Sequence, residues 1–432
     1  MNNLILKVSG KCIKGGIKLK KVLNMILLRK KFFFYSTLRM SSMIFGLLSN
    51  IFIVRKLTVD EYGVFSIALL IVGLMTTLGF SWSSSSILYF GSKERKQYGN
   101  INKTFWARNI IIFISLVIAT LLIVTFRHHI NAYIGLNVWF LVILWLYVSV
   151  IENYLIQYFL AVKKQIISSL LSITAKILYI VLILIISLDV RTLMIIYIIS
   201  HASVIFYVLG INRNDIGRFE FDKGWFKKVL NFSLWQLFGF SGIYLLNFGD
   251  TAVVKHFLTN TDVGIYNAAY KLFNNTASFA FVISSYYASS VSSYFAGVQK
   301  EKIKHFFYKE RLFIITISII AHLILLIFSK PIIVTLYGVD YLPAVSIFNI
   351  LMFGSMIRFI TVFYMLYYNT NGKHKIQQMI NICIAITNVI LSIILLQFFG
   401  VKGPAYATVL TLGLSLVFSF FYCEKRIVKS WS

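Results

Sequence analysis

Apolar residues along this chain come in long blocks, and polar residues interrupt those blocks at intervals too wide for a half-buried strand. A membrane-spanning helix takes roughly 20 mostly apolar residues. Blocks of that kind lie at 32–54, 62–90, 105–126, 138–161, 165–187, 192–210, 231–257, 264–291, 307–329, 343–368, 376–399 and 404–423. The pattern predicts twelve helices, and the lack of short alternating segments argues against a membrane barrel. Pro331, Pro343 and Pro404 all fall near predicted helix ends, so any bend inside a helix has to come from Gly or Ser, as at Gly46 or in the run Ser81–Ser86.

One segment occurs twice. LTVDEYGVFSIA (Leu57–Ala68) returns as LTNTDVGIYNAA (Leu258–Ala269), the two glycines, Gly63 and Gly264, lying 201 residues apart. Each copy carries an acid before the glycine (Glu61, Asp262) and an aromatic after it (Phe65, Tyr266), and the same offset matches Phe80 with Phe281 and Ser83 with Ser284. The copies follow predicted helices 1 and 7. Six helices separate them, so both point the same way across a bilayer. The expectation is two parallel-related six-helix lobes, 32–210 and 231–423, with an axis along the membrane normal. A basic tail at 1–31, a linker at 211–230 and a short tail at 424–432 complete the chain. In each copy the glycine is expected to allow a sharp reversal and close backbone approach. The acid would sit at the positive start of the next helix, and the aromatic would rest at headgroup depth.

Composition sharpens this picture. The chain is 59% hydrophobic and 13% charged, with mean hydropathy +0.81, outside the range of a soluble domain. The net charge of +28 suggests nucleic acid until its distribution is read. With the N-terminus inside, 31 of the 42 Lys and Arg fall on the inner side, and only Arg55, Lys56, Arg127, Arg191, Lys255, Lys330 and Lys402 fall outside. That is the positive-inside bias of a chain with both ends in the cytoplasm, so the basic surplus is topological and nucleic acid is not a partner. The basic tail suits contact with anionic membrane lipids and is not a cleaved signal peptide; Met25 is an alternative start. Cys12, Cys383 and Cys423 form neither a disulfide framework nor a metal site.

The other four basic residues, Arg39, Lys176, Lys271 and Arg358, lie inside predicted helices, where an ion costs roughly 2.5–3.5 kcal/mol on insertion scales. In helix 1, Ser36, Arg39, Ser42, Gly46 and Asn50 share one face by their spacing. In helix 8, Asn267, Lys271, Asn274, Asn275 and Ser278 do the same. Both stripes are expected to line a hydrated path. For Lys176 and Arg358, snorkelling, a structural ion pair and a substrate contact all stay open. Glu152 lies at a depth where it could pair with Arg39, and Asp250 where it could pair with Lys271, as a gate or as a fixed bridge. His201 and His322 are isolated and expected only to pack. The summed interior is positive, which attracts anions, and its Ser and Asn suit a hydroxyl-rich cargo. No nucleotide-binding loop and no catalytic triad is found, so no cofactor and no enzymatic activity are expected.

LTVDEYGVFSIA after a polar-striped first helix resembles Wzx-type oligosaccharide-lipid flippases, in the superfamily of the multidrug and toxin extrusion (MATE) carriers. DTAVV (Asp250–Val254), LYGVDYLPA (Leu336–Ala344), NTNGKHK (Asn369–Lys375) and FGVKGPAYAT (Phe399–Thr408) follow in the order of that family. The resemblance implies an all-α polytopic membrane protein with a MATE-like fold. Its expected work is moving undecaprenyl-diphosphate-linked oligosaccharide repeat units to the outer leaflet of a bacterial cytoplasmic membrane, for O-antigen, capsule or exopolysaccharide. A polysaccharide polymerase and a chain-length regulator would be partners. Arg39, Asn50, Lys176, Lys271, Asn274, Asn275 and Arg358 would contact substrate, and Asp250 and Glu152 would gate or couple to an ion gradient. A cation-coupled drug exporter is the second expectation, disfavoured by the positive interior. A membrane polymerase or acyltransferase is the third, disfavoured by the missing catalytic groups.

Overall fold

The computed structural model describes residues 37–38, 40–212, 218–296, 299–370 and 374–429. Its helices are α1 (40–56), α2 (Val59–Gly79), α3 (Ser84–Tyr98), α4 (Asn102–Thr125), α5 (Arg127–Ile134), α6 (Trp139–Ala161), α7 (Gln165–Ile185) and α8 (Val190–Ile211) in the first half. The second half contains α9 (Lys223–Phe257), α10 (Asn260–Ala296), α11 (Lys300–His305), α12 (Arg311–Ile327), α13 (Ser329–Tyr337), α14 (Ala344–Thr370), α15 (His374–Phe399) and α16 (Gly403–Lys429). No strand is present among the described residues. Nine stretches are long and apolar enough to cross a membrane, one of them, Lys375–Glu424, comprising both α15 and α16. The helix α10 misses that criterion because of its polar stripe, and α1 is only partly described. With these included, and with α2–α3 and α11–α12 each forming one crossing, the twelve predicted helices are present.

Serine accounts for the bend between α2 and α3. The chain turns through one 3-10 turn at Ser81–Ser83, where backbone groups away from water have to be bonded within the protein. Trp82 Nε1 donates to Gly79 O at 2.9 Å, and Ser81 Oγ and Ser83 Oγ add to the backbone bonds already received by Thr76 O and Phe80 O, at 3.1 and 3.0 Å. The start of α9 is set by Asp222, whose carboxylate accepts from Trp225 N at 2.9 Å. That backbone bond, with Lys103 beside it, holds the exposed Asp222 carboxyl below the ordinary carboxylate range. The helix therefore begins about two turns before its apolar run, inside the expected linker.

The duplicated segments meet. At each, a Thr side chain caps a helix start and an acid closes the capping box: Thr58 with Glu61, and Thr259 with Asp262, where Thr259 N and Oγ1 both donate to the carboxylate. One turn on, Gly63 of α2 lies against α10 and Gly264 of α10 against α2. A Cβ on Gly63 would strike the carbonyl of Asn260, and one on Gly264 the carbonyl of Val59. The glycines are thus inside helices at a crossing, where close approach of small residues gives the packing contact; they make no sharp reversal. The following aromatics are packed inside the protein instead of facing lipid headgroups. Phe65 stacks on Trp145 at 5.5 Å in the core, and Tyr266 is fully buried.

Polar contacts stitch the two lobes around this crossing. Asn50, which accepts from Tyr62 Oη of its own lobe at 3.1 Å, donates through Nδ2 to Tyr337 Oη at 3.3 Å, and Thr261 Oγ1 donates to Asp60 Oδ1 at 3.4 Å. Three of the seven cations that break the charge bias are bound at this end, Arg55 across the lobes and Lys56 and Lys255 each within its own. Arg55 donates to the carbonyls of Thr335 and Leu336 in the last turn of α13. Lys56 donates to Ile183, Leu184 and Ile186 at the end of α7. Both satisfy the free carbonyls and negative dipole of a helix C-terminus. Lys255 bonds Asn260 Oδ1 at 2.8 Å.

The hydrophobic core follows the same division. At the motif end, one continuous cluster runs from α1–α8 into α10, α13 and α14. At the opposite end it splits. Trp82, Phe90 and Ile111 pack with Val229 of α9, while Phe306, Phe307, Phe363 and Tyr368 form a separate cluster among α10, α14 and the π-helical turn Phe306–Glu310. At that end the second lobe has a core of its own, while α9 packs into α3 and α4 of the first lobe through Val229. We predict that cysteines at Asp60 and Thr261 will form a disulfide spontaneously in the native background. Adding Gly264→Val should cut its rate at least tenfold, because a branched side chain forces the crossing apart. Unchanged cross-linking, followed by mass spectrometry of the joined peptides, would show that the glycines do not hold this seam.

Candidate functional site

In the second lobe, Asp250 of α9 is buried and has no cation partner among the described residues. Tyr266 Oη and Thr408 Oγ1 donate to its Oδ2 at 2.6 and 2.7 Å, and Ser392 Oγ donates to its Oδ1 at 2.8 Å. With the Asn388 amide turned to satisfy its neighbours, its nitrogen donates to Oδ1 at 2.9 Å and its oxygen accepts from Thr408. The expected Asp250–Lys271 bridge is absent. Neutral donors from α10, α15 and α16 hold the carboxylate instead, which is how an unpaired buried ion is tolerated.

Lys271 therefore stands alone. It is half-buried on α10, and its ammonium has no hydrogen bond or ion pair with a described residue. Asn274 and Asn275, three and four residues on, share its face and are half-buried. Arg358 of α14, the helix packed most extensively against α10, lays its guanidinium over the Phe273 ring at 5.5 Å, a cation–π contact. It too has no carboxylate partner among the described residues. Their helix, α10, also packs on α2 of the first lobe. The structure thus brings Lys271, Asn274, Asn275 and Arg358 to the α10–α14 pair, beside the junction of the lobes.

The first lobe differs from expectation. Arg39 and Ser36 lie outside the described residues. Glu152 bonds His201, Oε2 to Nδ1 at 2.6 Å, with both side chains buried, so His201 is not isolated. Its ring stacks on Tyr197 at 4.0 Å, and Tyr179 meets it edge-on. His322 likewise has a partner, Ser355 Oγ at 2.8 Å from Nε2. Lys176 of α7 is bound into the stripe of α1, its ammonium donating to Ser42 O and Oγ at 2.9 and 2.8 Å. Gly46 leaves room for that ammonium, and Ser172 joins Ser42 at 3.1 Å. Asn50 belongs to the interlobe seam described above.

One residue escapes a sequence reading. Arg108, which the charge pattern assigns to the inner loop region, lies inside α4 and is 3% exposed. It lines a cavity of about 220 Å³ with Thr76, Ser81, Ser84, Asn153, Gln157 and Phe240. Gln157 also borders a second cavity, of about 180 Å³, with Ser42, Ser168, Ser169 and Ser172. A polar seam therefore runs through the first lobe from Arg108 to Ser42 and Lys176. Position six residues into a helix gives no warning of this, because basic residues near helix ends usually snorkel to water.

Among solved structures, the fold resembles the inward-facing conformation of a multidrug resistance MATE family transporter of the MOP superfamily. The TM-score is 0.72 at 15% identity, covering 90% of this chain and 95% of that one. It also resembles the lipid II flippase MurJ in an inward closed conformation, with TM-score 0.67 at 16% identity, covering 92% and 89%. In sequence it is 22% identical over 201 residues to the probable low-salt glycan biosynthesis flippase Agl15 of Haloferax volcanii. That match spans 46% of this chain and 43% of the relative, less than half of either. The polysaccharide biosynthesis protein family matches residues 28–291, well over half the chain. This multi-pass membrane protein belongs to the polysaccharide biosynthesis protein family.

Proposed function

We propose that the protein is a flippase for undecaprenyl-diphosphate-linked oligosaccharide, carrying it from the inner to the outer leaflet of a bacterial cytoplasmic membrane. The observation that carries this reading is the pair of unpaired cations, Lys271 and Arg358, held with two amides in mid-membrane beside the lobe junction. Two buried positive charges without carboxylates favour an anion. A diphosphate head supplies the charge, Asn274 and Asn275 offer hydrogen bonds to sugar hydroxyls, and the lipid tail stays in the bilayer. The charge bias puts both termini in the cytoplasm, so the motif end faces outward and the opposite end faces the side where the substrate is made. Lys176 extends the positive interior on the first lobe. The work is transport, with no bond made or broken.

Gating and ion coupling fall to the two carboxylates. Asp250 and the hydroxyl oxygens of Ser392, Thr408 and Tyr266 around it are of the type that hard cations take, and about one and a half turns of α10 separate Tyr266 from Lys271. A cation bound at Asp250 would change how α10 is held and so report to the substrate face. Glu152 and His201 form the matching titratable pair of the first lobe. A drug exporter would want a negative interior, and here both carboxylates are already engaged.

Two outcomes test this. Lys271→Met, expressed at native level in a deletion strain, should lower surface polysaccharide at least tenfold while lipid-linked repeat units are retained, and Lys271→Arg should restore part of it. Intact export in the Met variant, or drug sensitivity as the main effect of the deletion, would contradict the reading. In proteoliposomes, Asp250→Asn should flip substrate without responding to an imposed cation gradient. A gradient response equal to the native protein's would remove Asp250 from the coupling role.

A further inference from the structure

Arg108 has no role in the function just described, and its surroundings are unusual. Its Nε and Nη1 are both buried without a hydrogen-bond partner. The carboxylates nearest in sequence on packed helices are committed elsewhere. Glu94 caps α4 through Lys103 N, Thr104 N and Thr104 Oγ1 at 2.8, 2.9 and 2.6 Å, and Glu152 is bound to His201. Among the described residues the compensating contact is the Tyr154 ring, 5.0 Å from the guanidinium carbon. A cation–π contact recovers only part of what a buried ion loses with its water. A guanidinium left this way is completed by something that enters the cavity.

The cavity wall indicates what that is. Ser84, the first residue of α3, and Asn153 present a hydroxyl and an amide to the cavity, while the Thr76 and Ser81 hydroxyls donate to Val72 O and Thr76 O. Gln157 Oε1 is buried without a partner and, as an acceptor, suits a water of hydration carried in with the anion. At roughly 30 Å³ per water, the space admits a phosphoryl group with some of its hydration. Five N–H donors on a planar fork match its oxygens. The cavity adjoins Phe240 of α9, the helix that joins the two lobes, and continues through Gln157 toward Lys176.

We infer that Arg108, with Asn153, Gln157 and the start of α3, forms a phosphoryl-binding subsite in the first lobe, separate from Lys271 and Arg358. The flippase reading supplies only the source of the phosphoryl group, the diphosphate of the lipid-linked cargo arriving from the cytoplasmic side. A membrane phospholipid carries the same chemistry, and the experiment separates the two.

The full chain in nanodiscs of zwitterionic lipid is titrated with undecaprenyl diphosphate, and separately with phosphatidylglycerol, reading binding by native mass spectrometry. Arg108→Met, which removes the charge at similar length, should weaken undecaprenyl diphosphate binding at least tenfold, with Arg108→Lys in between. Phosphatidylglycerol binding with the same Arg108 dependence, and none of undecaprenyl diphosphate, would uphold the subsite and defeat the flippase reading. Undecaprenyl diphosphate binding equal in native and Met proteins would overturn the subsite and leave that reading intact. If the Met variant does not fold, phenylglyoxal footprinting of the native protein decides. Ligand should protect Arg108 from modification, and equal modification with and without either lipid overturns the inference.

Discussion

Two helices touch through glycine where the chain repeats itself, and the rest of the molecule is arranged around that contact. Gly63 and Gly264 each face a backbone carbonyl of the other helix's first turns, with no space for a β-carbon. The contact is reciprocal, each copy of the motif supplying both a glycine and the carbonyl it meets. Capping boxes fix where α2 and α10 begin, so the glycines arrive at the same depth. The crossing is short-ranged and makes few directional bonds. It seals one end by shape, and Arg55, Asn50 and Asp60 add hydrogen bonds at its margin.

Sealing one end has a consequence for the charges. Away from the crossing, the second lobe has a core of its own while α9 packs against α3 and α4, and each lobe keeps its acid inside its own helices. Asp250 is held by hydroxyls of α10, α15 and α16, and Glu152 by His201 of α8. The carboxylates being internally satisfied, the cations of α10 and α14 lack counterions. That separation of signs is what the proposed anion path rests on, since ions within spanning helices cost roughly 2.5–3.5 kcal/mol each.

Much of this was legible in the primary structure. Long apolar blocks identify helices because backbone groups in lipid have to bond within the segment, and all twelve appear near the expected positions. The repeat foretold which helices are equivalent, and the acid in each copy caps its helix as expected. The spacing of Lys271, Asn274 and Asn275 put them on one face. What was not legible depends on neighbours distant in sequence. Depth along a helix suggested partners for Asp250 and Glu152, but depth carries no azimuth, and both found partners on other helices. Phe65 and Tyr266 read as interfacial because such rings often are, whereas the crossing draws them into the core. Arg108 read as a loop cation because only the fold of α2–α3 over α4 buries it.

The central claim is that one crossing closes the path at the motif end while the anion site faces the other. It is tested most directly by spin-label distances across both ends in a reconstituted, transport-competent sample, with labels at Asp60 and Thr261 and at Lys93 and Lys304. Adding the lipid-linked oligosaccharide should lengthen the first distance in part of the population and shorten the second in the same part. Two distances that stay fixed while the same sample moves its substrate would contradict it.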